Sequence, residues 1–246
     1  MRVAVAGALG RMGRAACAAL SAASDVELVG GFARSRAGAP LAEAISLPKA
    51  AGRCYDDVTD LYDDAKPDVV LDFTVYPTTV DVAREAVSRR ISPVIGATGW
   101  TDEDRISFED QCDEQAVGAA LVPNFALGAV LAMRFAELAA PYFPTAEIVE
   151  YHHDAKRDKP SGTAALTAAR IAAASGLSDV PIHSVRLRGL VAHQDILFGG
   201  EDELLTIRHD SFSRASFMPG VLLAVRGVRA KRKLVIGLEA FMADLA

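Results

Sequence analysis

Arg2-Val3-Ala4-Val5-Ala6-Gly7-Ala8-Leu9-Gly10-Arg11-Met12-Gly13 is an apolar run that passes into glycines spaced three apart and then into a helix-compatible segment. Strand, sharp turn and helix in that order open a βαβ unit. Gly7, Gly10 and Gly13 meet the needs of a dinucleotide turn, which are a bend, a close approach of backbone to pyrophosphate, and a helix packed tightly on its strand. The spacing is G-x-x-G-x-x-G rather than G-x-G-x-x-G, so the flanking strand and helix carry the assignment. Arg11 and Arg14 add positive charge at the helix start, where an anion is already favoured.

Outward from this turn, short apolar strands near 3–6, 27–33, 69–73, 93–95 and 119–122 alternate with helices near 11–22, 79–89 and 102–115. That alternation predicts a parallel sheet. The stretch 35–48, with Gly38, Pro40 and Pro48, reads as a loop holding at most one short helix. A helix over 128–140 ends at Pro141 and Pro144, before a strand at 146–151. After a helix near 163–174, segments 183–188, 194–198 and 203–209 read as successive strands, with Gly199-Gly200 as a turn. These predict an antiparallel or mixed sheet in a separate α+β domain. A helix over 220–229 and a strand over 234–237 are expected to return to the first domain. The expected division is 1–125 completed by 219–246, and 126–218.

The second strand ends at Phe32-Ala33-Arg34-Ser35-Arg36, where an NAD-selective site places a carboxylate on the ribose hydroxyls. None is present, and Arg34, Ser35 and Arg36 suit a 2′-phosphate. NADPH is therefore expected in preference to NADH. Two further loops, Gly96-Ala97-Thr98-Gly99 and Val122-Pro123-Asn124-Phe125, fall after strands, on the edge where open parallel sheets bind ligands, and are expected to frame the nicotinamide.

The stretch from Glu150 to Thr163 gathers His152, His153 and Lys156 before the helix start Ser161-Gly162-Thr163. Imidazole has the unperturbed pKa nearest neutrality, and hydride addition to a C=C or C=N system needs a proton donor, so His152 or Lys156 fits that role. His153 and Lys156 can bind a carboxylate, and the Gly162 and Thr163 N–H groups can capture another. Such a site suits a dianion. Adjacent His152 and His153 do not share a metal-facing side, so no metal is expected. His183, His193 and His209 read as structural or exposed.

Composition bounds these readings. Hydrophobic residues make up 51% and charged residues 24% of 246 residues, as in a folded globular protein. A net charge of −6 argues against nucleic-acid or anionic-membrane partners. Cys17, Cys54 and Cys112 are odd in number and lack metal spacing, which predicts buried free thiols in a reducing compartment. With neither a leader nor an apolar run approaching about 18 residues, a cytoplasmic protein is expected.

Taken together, the two motifs resemble those of the 4-hydroxy-tetrahydrodipicolinate reductase family, also called dihydrodipicolinate reductase, of the diaminopimelate route to lysine. Its E-x-H-H-x-x-K-x-D-x-P-S-G-T-A signature is met at Glu150, His152, His153, Lys156, Asp158, Pro160, Ser161, Gly162, Thr163 and Ala164, and its G-x-x-G-R-M-G turn at Gly7 to Gly13. Leu190-Val191-Ala192-His193-Gln194 and Thr206-Ile207-Arg208-His209-Asp210 resemble the actinobacterial-type branch.

The resemblance implies an α/β protein, with a Rossmann-like parallel-sheet nucleotide-binding domain and a central α+β substrate and oligomerisation domain, assembled as a homotetramer. It implies His152 as proton donor and acceptor, Lys156 as second acid, and His153, Ser161, Gly162 and Thr163 on the substrate. Cofactor contacts are implied from Gly7, Ala8, Leu9, Gly10, Arg11 and Met12, from Arg34, from Gly96, Ala97 and Thr98, and from Val122, Pro123, Asn124 and Phe125. Three positions depart from the family pattern. Ala33 stands where many members carry the acidic ribose ligand, Ala97 replaces the first threonine of G-T-T-G, and Lys159 occupies a position usually small. Ala97 and Lys159 leave room for a related NADPH-dependent reductase with a shifted substrate. A non-catalytic dinucleotide sensor would not need His152 and Lys156.

Overall fold

The computed structural model describes residues 1–48 and 50–242. In chain order the elements are β1 (Arg2–Ala6), α1 (Arg11–Ala22), β2 (Glu27–Phe32), α2 (Leu41–Ile45), β3 (Cys54–Tyr55), α3 (Val58–Ala65), β4 (Val69–Asp72), α4 (Thr78–Ser88), β5 (Ser92–Ile95), α5 (Asp102–Gln115) and β6 (Ala119–Leu121). There follow α6 (Leu127–Ala139), β7 (Thr145–His152), α7 (Gly162–Ser175), β8 (Ile182–Arg186), β9 (Ala192–Gly200), β10 (Glu203–Ser211), α8 (Met218–Gly227) and β11 (Leu234–Ile236). They divide into two compact units, Met1–Phe125 with Phe217–Ala246, and Ala126–Ser216.

In the first unit seven parallel strands run in the order β11-β6-β5-β4-β1-β2-β3. Strands β4, β5 and β6 are buried at every residue, and β1 at all but its first. That burial explains why they read as continuous apolar runs rather than alternating ones. Successive strands β1, β2 and β3 extend one way and β4, β5 and β6 the other, so the order reverses between β1 and β4. A parallel sheet opens its ligand crevice at such a point. The C-terminal segment completes this sheet. β11 pairs with β6, and Gly220 of α8 lies so close to the Phe125 carbonyl that a Cβ there would sit 2.0 Å from its oxygen.

Two elements escaped the sequence reading. β3 is only two residues long, too short for a period to register. α3 did leave a signal, with Asp57 accepting from the Thr59 and Asp60 N–H groups as its cap and Leu61, Tyr62 and Ala65 turned inward.

The second unit holds a four-stranded sheet ordered β10-β9-β7-β8, in which β7–β8 is parallel and the other pairs are antiparallel. The sheet is therefore mixed. Ala146, Ile148, Ile196 and Phe198 lie on one face and form a core with Ala132 and Ala136 of α6 and Ala164 and Ile171 of α7. The expected Gly199-Gly200 turn is instead strand. The chain reverses at Glu201-Asp202, where Asp202 has φ +58°, because β9 and β10 pair through to Gly200 and Glu203.

All three cysteines are free and buried, and burial pushes the Cys17 and Cys112 thiols up to about 12. Among the described residues no helix is long and apolar enough to cross a membrane.

Candidate active site

Every cofactor-site residue anticipated in the first unit lies at or just past the C-terminal end of a parallel strand or at the helix start that follows. Gly7, Ala8, Leu9 and Gly10 link β1 to Arg11 and Met12 at the start of α1; Arg34 follows β2; Gly96, Ala97 and Thr98 follow β5; Val122, Pro123, Asn124 and Phe125 follow β6. Gly7 has φ +77°, and a Cβ there would lie 2.8 Å from the Phe73 carbonyl oxygen. At Gly13 a Cβ would stand 2.1 Å from the Gly7 carbonyl oxygen. Helix and turn therefore meet at a separation only glycine permits. α1 starts at Gly10 with no side-chain cap and no acidic residue in its first turn, so its N–H groups and dipole favour an anion.

Arg14 stays at the turn. Its Nε donates to the Leu9 carbonyl at 3.0 Å and braces the turn, while Arg11 is exposed. Arg34 donates through Nη2 to the Thr78 hydroxyl at 3.1 Å, which holds the guanidinium beside the start of α4.

Phe73, expected as the last residue of the strand over 69–73, instead follows β4 and belongs to this edge of the sheet. Phe73 packs edge-on against Phe125 with centroids 5.7 Å apart, and a Cβ on Gly96 would strike its ring at 2.6 Å. Two loops named from sequence thus converge on a ring that was not named as a site residue, and the glycine turn meets the backbone of the same residue. Beside it, buried Asp72 accepts from the Thr74 N–H at 2.7 Å and from the Thr79 hydroxyl, and its own carbonyl accepts from the Gly96 N–H at 2.9 Å. Burial raises its pKa against those hydrogen bonds.

In the second unit, His152 closes β7 with Glu150 two residues earlier on the same face. Its Nδ1 meets Glu150 Oε2, and Glu150 is fully buried. Arg186 of β8 reaches that carboxylate with both terminal nitrogens, Nη1 to Oε2 at 2.9 Å and Nη2 to Oε1 at 2.7 Å. Burial pushes the Glu150 carboxyl up, but hydrogen bonds from Arg186, Ser184 and His152 outweigh it and leave the pKa below the ordinary value. For His152, burial dominates and, with the nearby Lys156 and Arg186 charges, lowers the imidazole pKa despite the opposing Glu150 carboxylate. Burial thus favours the neutral form of the imidazole.

Lys156 lies on the following loop, its Nζ 2.7 Å from Asp158 Oδ2 and its N–H donating to the half-buried His153's carbonyl at 3.1 Å. That ammonium holds the Asp158 carboxyl below its usual range. Ser161 is the cap of α7, its Oγ accepting from the Ala164 N–H at 3.2 Å, so its hydroxyl serves the helix. Gly162 and Thr163 open that helix, and a Cβ on Gly162 would meet nothing within 4 Å. Ala97 is half-buried against the cluster around Phe108, whereas Lys159 is exposed.

Residues 1–125 match the family described as Dihydrodipicolinate reductase, N-terminus, and residues 128–242 match Dihydrodipicolinate reductase, C-terminus. The 4-hydroxy-tetrahydrodipicolinate reductase of Moorella thermoacetica is 43% identical over 258 residues, covering 97% of each chain. That of Cutibacterium acnes is 43% identical over 265 residues, covering 98% of each. Among solved structures, the dipicolinate-bound dihydrodipicolinate reductase of Paenisporosarcina sp. TG-14 superposes with a TM-score of 0.86 at 39% identity, over 98% of this chain and 99% of that one. A myo-inositol dehydrogenase from Corynebacterium glutamicum shares the fold alone, with a TM-score of 0.64 at 17% identity over 95% of this chain and 90% of that one.

Proposed function

The chain belongs to the dihydrodipicolinate reductase family, and on that premise we propose how its own residues reduce 4-hydroxy-tetrahydrodipicolinate to tetrahydrodipicolinate with loss of water. The overall change exchanges a ring hydroxyl for hydrogen and consumes one proton. When bound, the nicotinamide dinucleotide supplies the hydride. His152 takes a proton from the carbon beside the imine as hydroxide leaves the neighbouring carbon, and later returns it to the same carbon. Lys156 gives the proton that converts the departing hydroxide to water. The observation that carries this reading is the half-buried imidazole at the end of β7, held through Nδ1 by the buried Glu150 carboxylate and followed on the next loop by the Lys156 ammonium.

His153 and the N–H groups at the start of α7 take the substrate carboxylates, and Ser161 contributes through the cap that orients those donors. The relative solved with dipicolinate bound supports a dicarboxylate here, and the open space beside Gly162 leaves room for one. The decisive assay follows NADPH oxidation with enzymatically generated 4-hydroxy-tetrahydrodipicolinate. Tight dinucleotide binding without oxidation would refute the catalytic reading.

The glycine turn fits a nicotinamide dinucleotide, since only glycines relieve the crowding at positions 7 and 13 and the helix start carries no competing acid. We assign the preference to NADPH. Ala33 offers no carboxylate to the ribose hydroxyls, and Arg34, held on Thr78, offers a guanidinium to a 2′-phosphate. Arg34→Ala is expected to lower kcat/KM for NADPH by roughly tenfold or more, the value of one charge-assisted hydrogen bond. The value for NADH should stay within about twofold on the same ground. Equal losses for both cofactors would remove Arg34 from the selectivity.

The assembly we propose is a homotetramer in the cytoplasm, where buried free thiols suit a reducing setting. The face of the mixed sheet turned away from α6 and α7 carries Tyr151, His193, Asp195, Arg208 and Asp210, joined by Tyr151–Asp195 at 2.9 Å, His193–Asp210 at 2.7 Å and Arg208–Asp210 at 2.8 Å. On the same face His193 and Asp195 are buried within this network, whereas Leu204 is 68% exposed. A sheet face so ordered, with an apolar side chain left in water, suits a second sheet. Light scattering should give four times the 26.0 kDa chain mass. A monomer at micromolar concentration would overturn the assignment.

A further inference from the structure

Glu150 and Arg186 have no part in the proton transfers described so far, yet they are the most deeply buried ion pair around His152. In the β7–β8 register His152 lies opposite Arg186 and Glu150 opposite Ser184, so Arg186 reaches diagonally back along its neighbour to Glu150. The Glu150 side chain is 0% exposed and that of Arg186 6%. A carboxylate so enclosed is costly unless paired, and the two-pronged guanidinium contact keeps it ionised. An ionised carboxylate only accepts hydrogen bonds, so the proton between it and His152 belongs to Nδ1, and Nε2 is left with its lone pair. Arg186 has a second engagement. Its Nη2 also donates to the Asp158 carbonyl at 2.7 Å, and the Asp158 carboxylate holds Lys156.

We propose that Glu150 and Arg186 are a positioning pair for both proton-transfer groups, with Glu150 fixing the tautomer and orientation of His152 and Arg186 anchoring both Glu150 and the loop that presents Lys156. The inference rests on the proton-transfer roles given above to His152 and Lys156. The charged groups acting on the imidazole are Glu150 from its own strand, Arg186 from β8 and Lys156 from the loop. A purely structural ion pair would influence stability alone, whereas a positioning pair also governs which nitrogen of His152 carries the proton. Arg186 is not replaceable by lysine in this role, because an ammonium lacks the planar fork that spans both carboxylate oxygens while reaching a third acceptor.

The test compares wild type with Glu150→Gln and Arg186→Lys by two readouts, turnover against pH and the side-chain 15N spectrum of His152 in the substrate-free protein. Glu150→Gln is expected to lower kcat by about tenfold to a hundredfold or more, the lower range being the loss when a metal-bound histidine is deprived of its carboxylate partner, with the substrate KM changed by less than about threefold. The His152 titration moves to lower pH, because the carboxylate that favours the imidazolium is gone, and the single Nδ1–H tautomer gives way to a mixture. Arg186→Lys lies between the two in kcat, pH profile and His152 spectrum, and in addition raises KM, since Lys156 is less well held. If Glu150→Gln does not fold, Arg186→Lys decides. A lower Tm with wild-type kcat, pH profile and His152 spectrum reduces the pair to a structural one and overturns the proposal. Because the tautomer is read without turnover, a His152→Ala enzyme with full activity would remove the catalytic assignment while the spectrum still decides what the pair does to the imidazole.

Discussion

His152→Ala lowers kcat by about a hundredfold or more, the share that a positioned acid–base group ordinarily contributes, while the dinucleotide Kd stays within about twofold. The asymmetry follows from where the residue sits. His152 ends β7 in the unit Ala126–Ser216, whereas the glycine turn belongs to the unit Met1–Phe125 with Phe217–Ala246. Wild-type kcat-pH data separate this role from a merely structural one. Burial lowers the imidazole pKa below its ordinary value, and the reaction starts from the neutral form. The rate is therefore full at neutral pH and falls as pH drops through that lowered pKa, because protonation removes the lone pair that accepts the substrate proton. In His152→Ala the limb governed by this group disappears. An unchanged kcat, or an acidic limb that survives the substitution, would exclude His152.

Gly13→Ala is expected to damage the first unit as severely as His152→Ala damages turnover, but through binding. The new methyl would be centred 2.1 Å from the Gly7 carbonyl oxygen and 2.8 Å from the Ala8 Cα, both backbone atoms that no side-chain rotation can clear. Either α1 lifts from β1 or the turn shifts. Overpacking of this kind typically costs about 1–3 kcal/mol. In a domain of this size that lowers the Tm by roughly 2–12 °C. The same displacement spoils the donors aimed at a pyrophosphate, and losing even one charge-assisted hydrogen bond weakens dinucleotide binding by about tenfold or more. Thermal unfolding and a fluorescence titration with NADPH check the two effects. A variant with wild-type Tm and affinity would show that helix and turn do not meet as closely as the structure has them.

His152 and Gly13 both belong to motifs readable in the chain. The strand at 2–6, the glycine turn and the helix from Arg11 were legible because each depends on neighbours in sequence: backbone sterics at Gly7, an uncapped helix start at Gly10, and apolar side chains close in the chain. Ser161-Gly162-Thr163 was legible as a helix start for the same reason, and the structure makes Ser161 its cap. The change of sheet type after residue 126 showed in the loss of strand–helix alternation. β3 was not legible, because two residues make a strand only when β2 is beside them. The turn at Glu201-Asp202 was misplaced, because Gly199 and Gly200 carry turn chemistry locally yet are held in the β9–β10 ladder.

Phe73 and Arg186 mark the boundary most sharply. Phe73 is one apolar residue after one strand, and nothing nearby in the chain says that Gly96 and Phe125 will close upon it. Arg186 sits 36 residues from Glu150, and only the register of β8 against β7 brings the guanidinium to that carboxylate. From the chain alone came the element types, the two halves of the chemistry and the identity of the groups able to move protons, since these rest on intrinsic conformational preference and side-chain pKa. The partners that orient those groups, set their protonation and crowd the glycines were decided by tertiary structure, because hydrogen bonds and desolvation depend on distances through space that spacing along a chain does not encode.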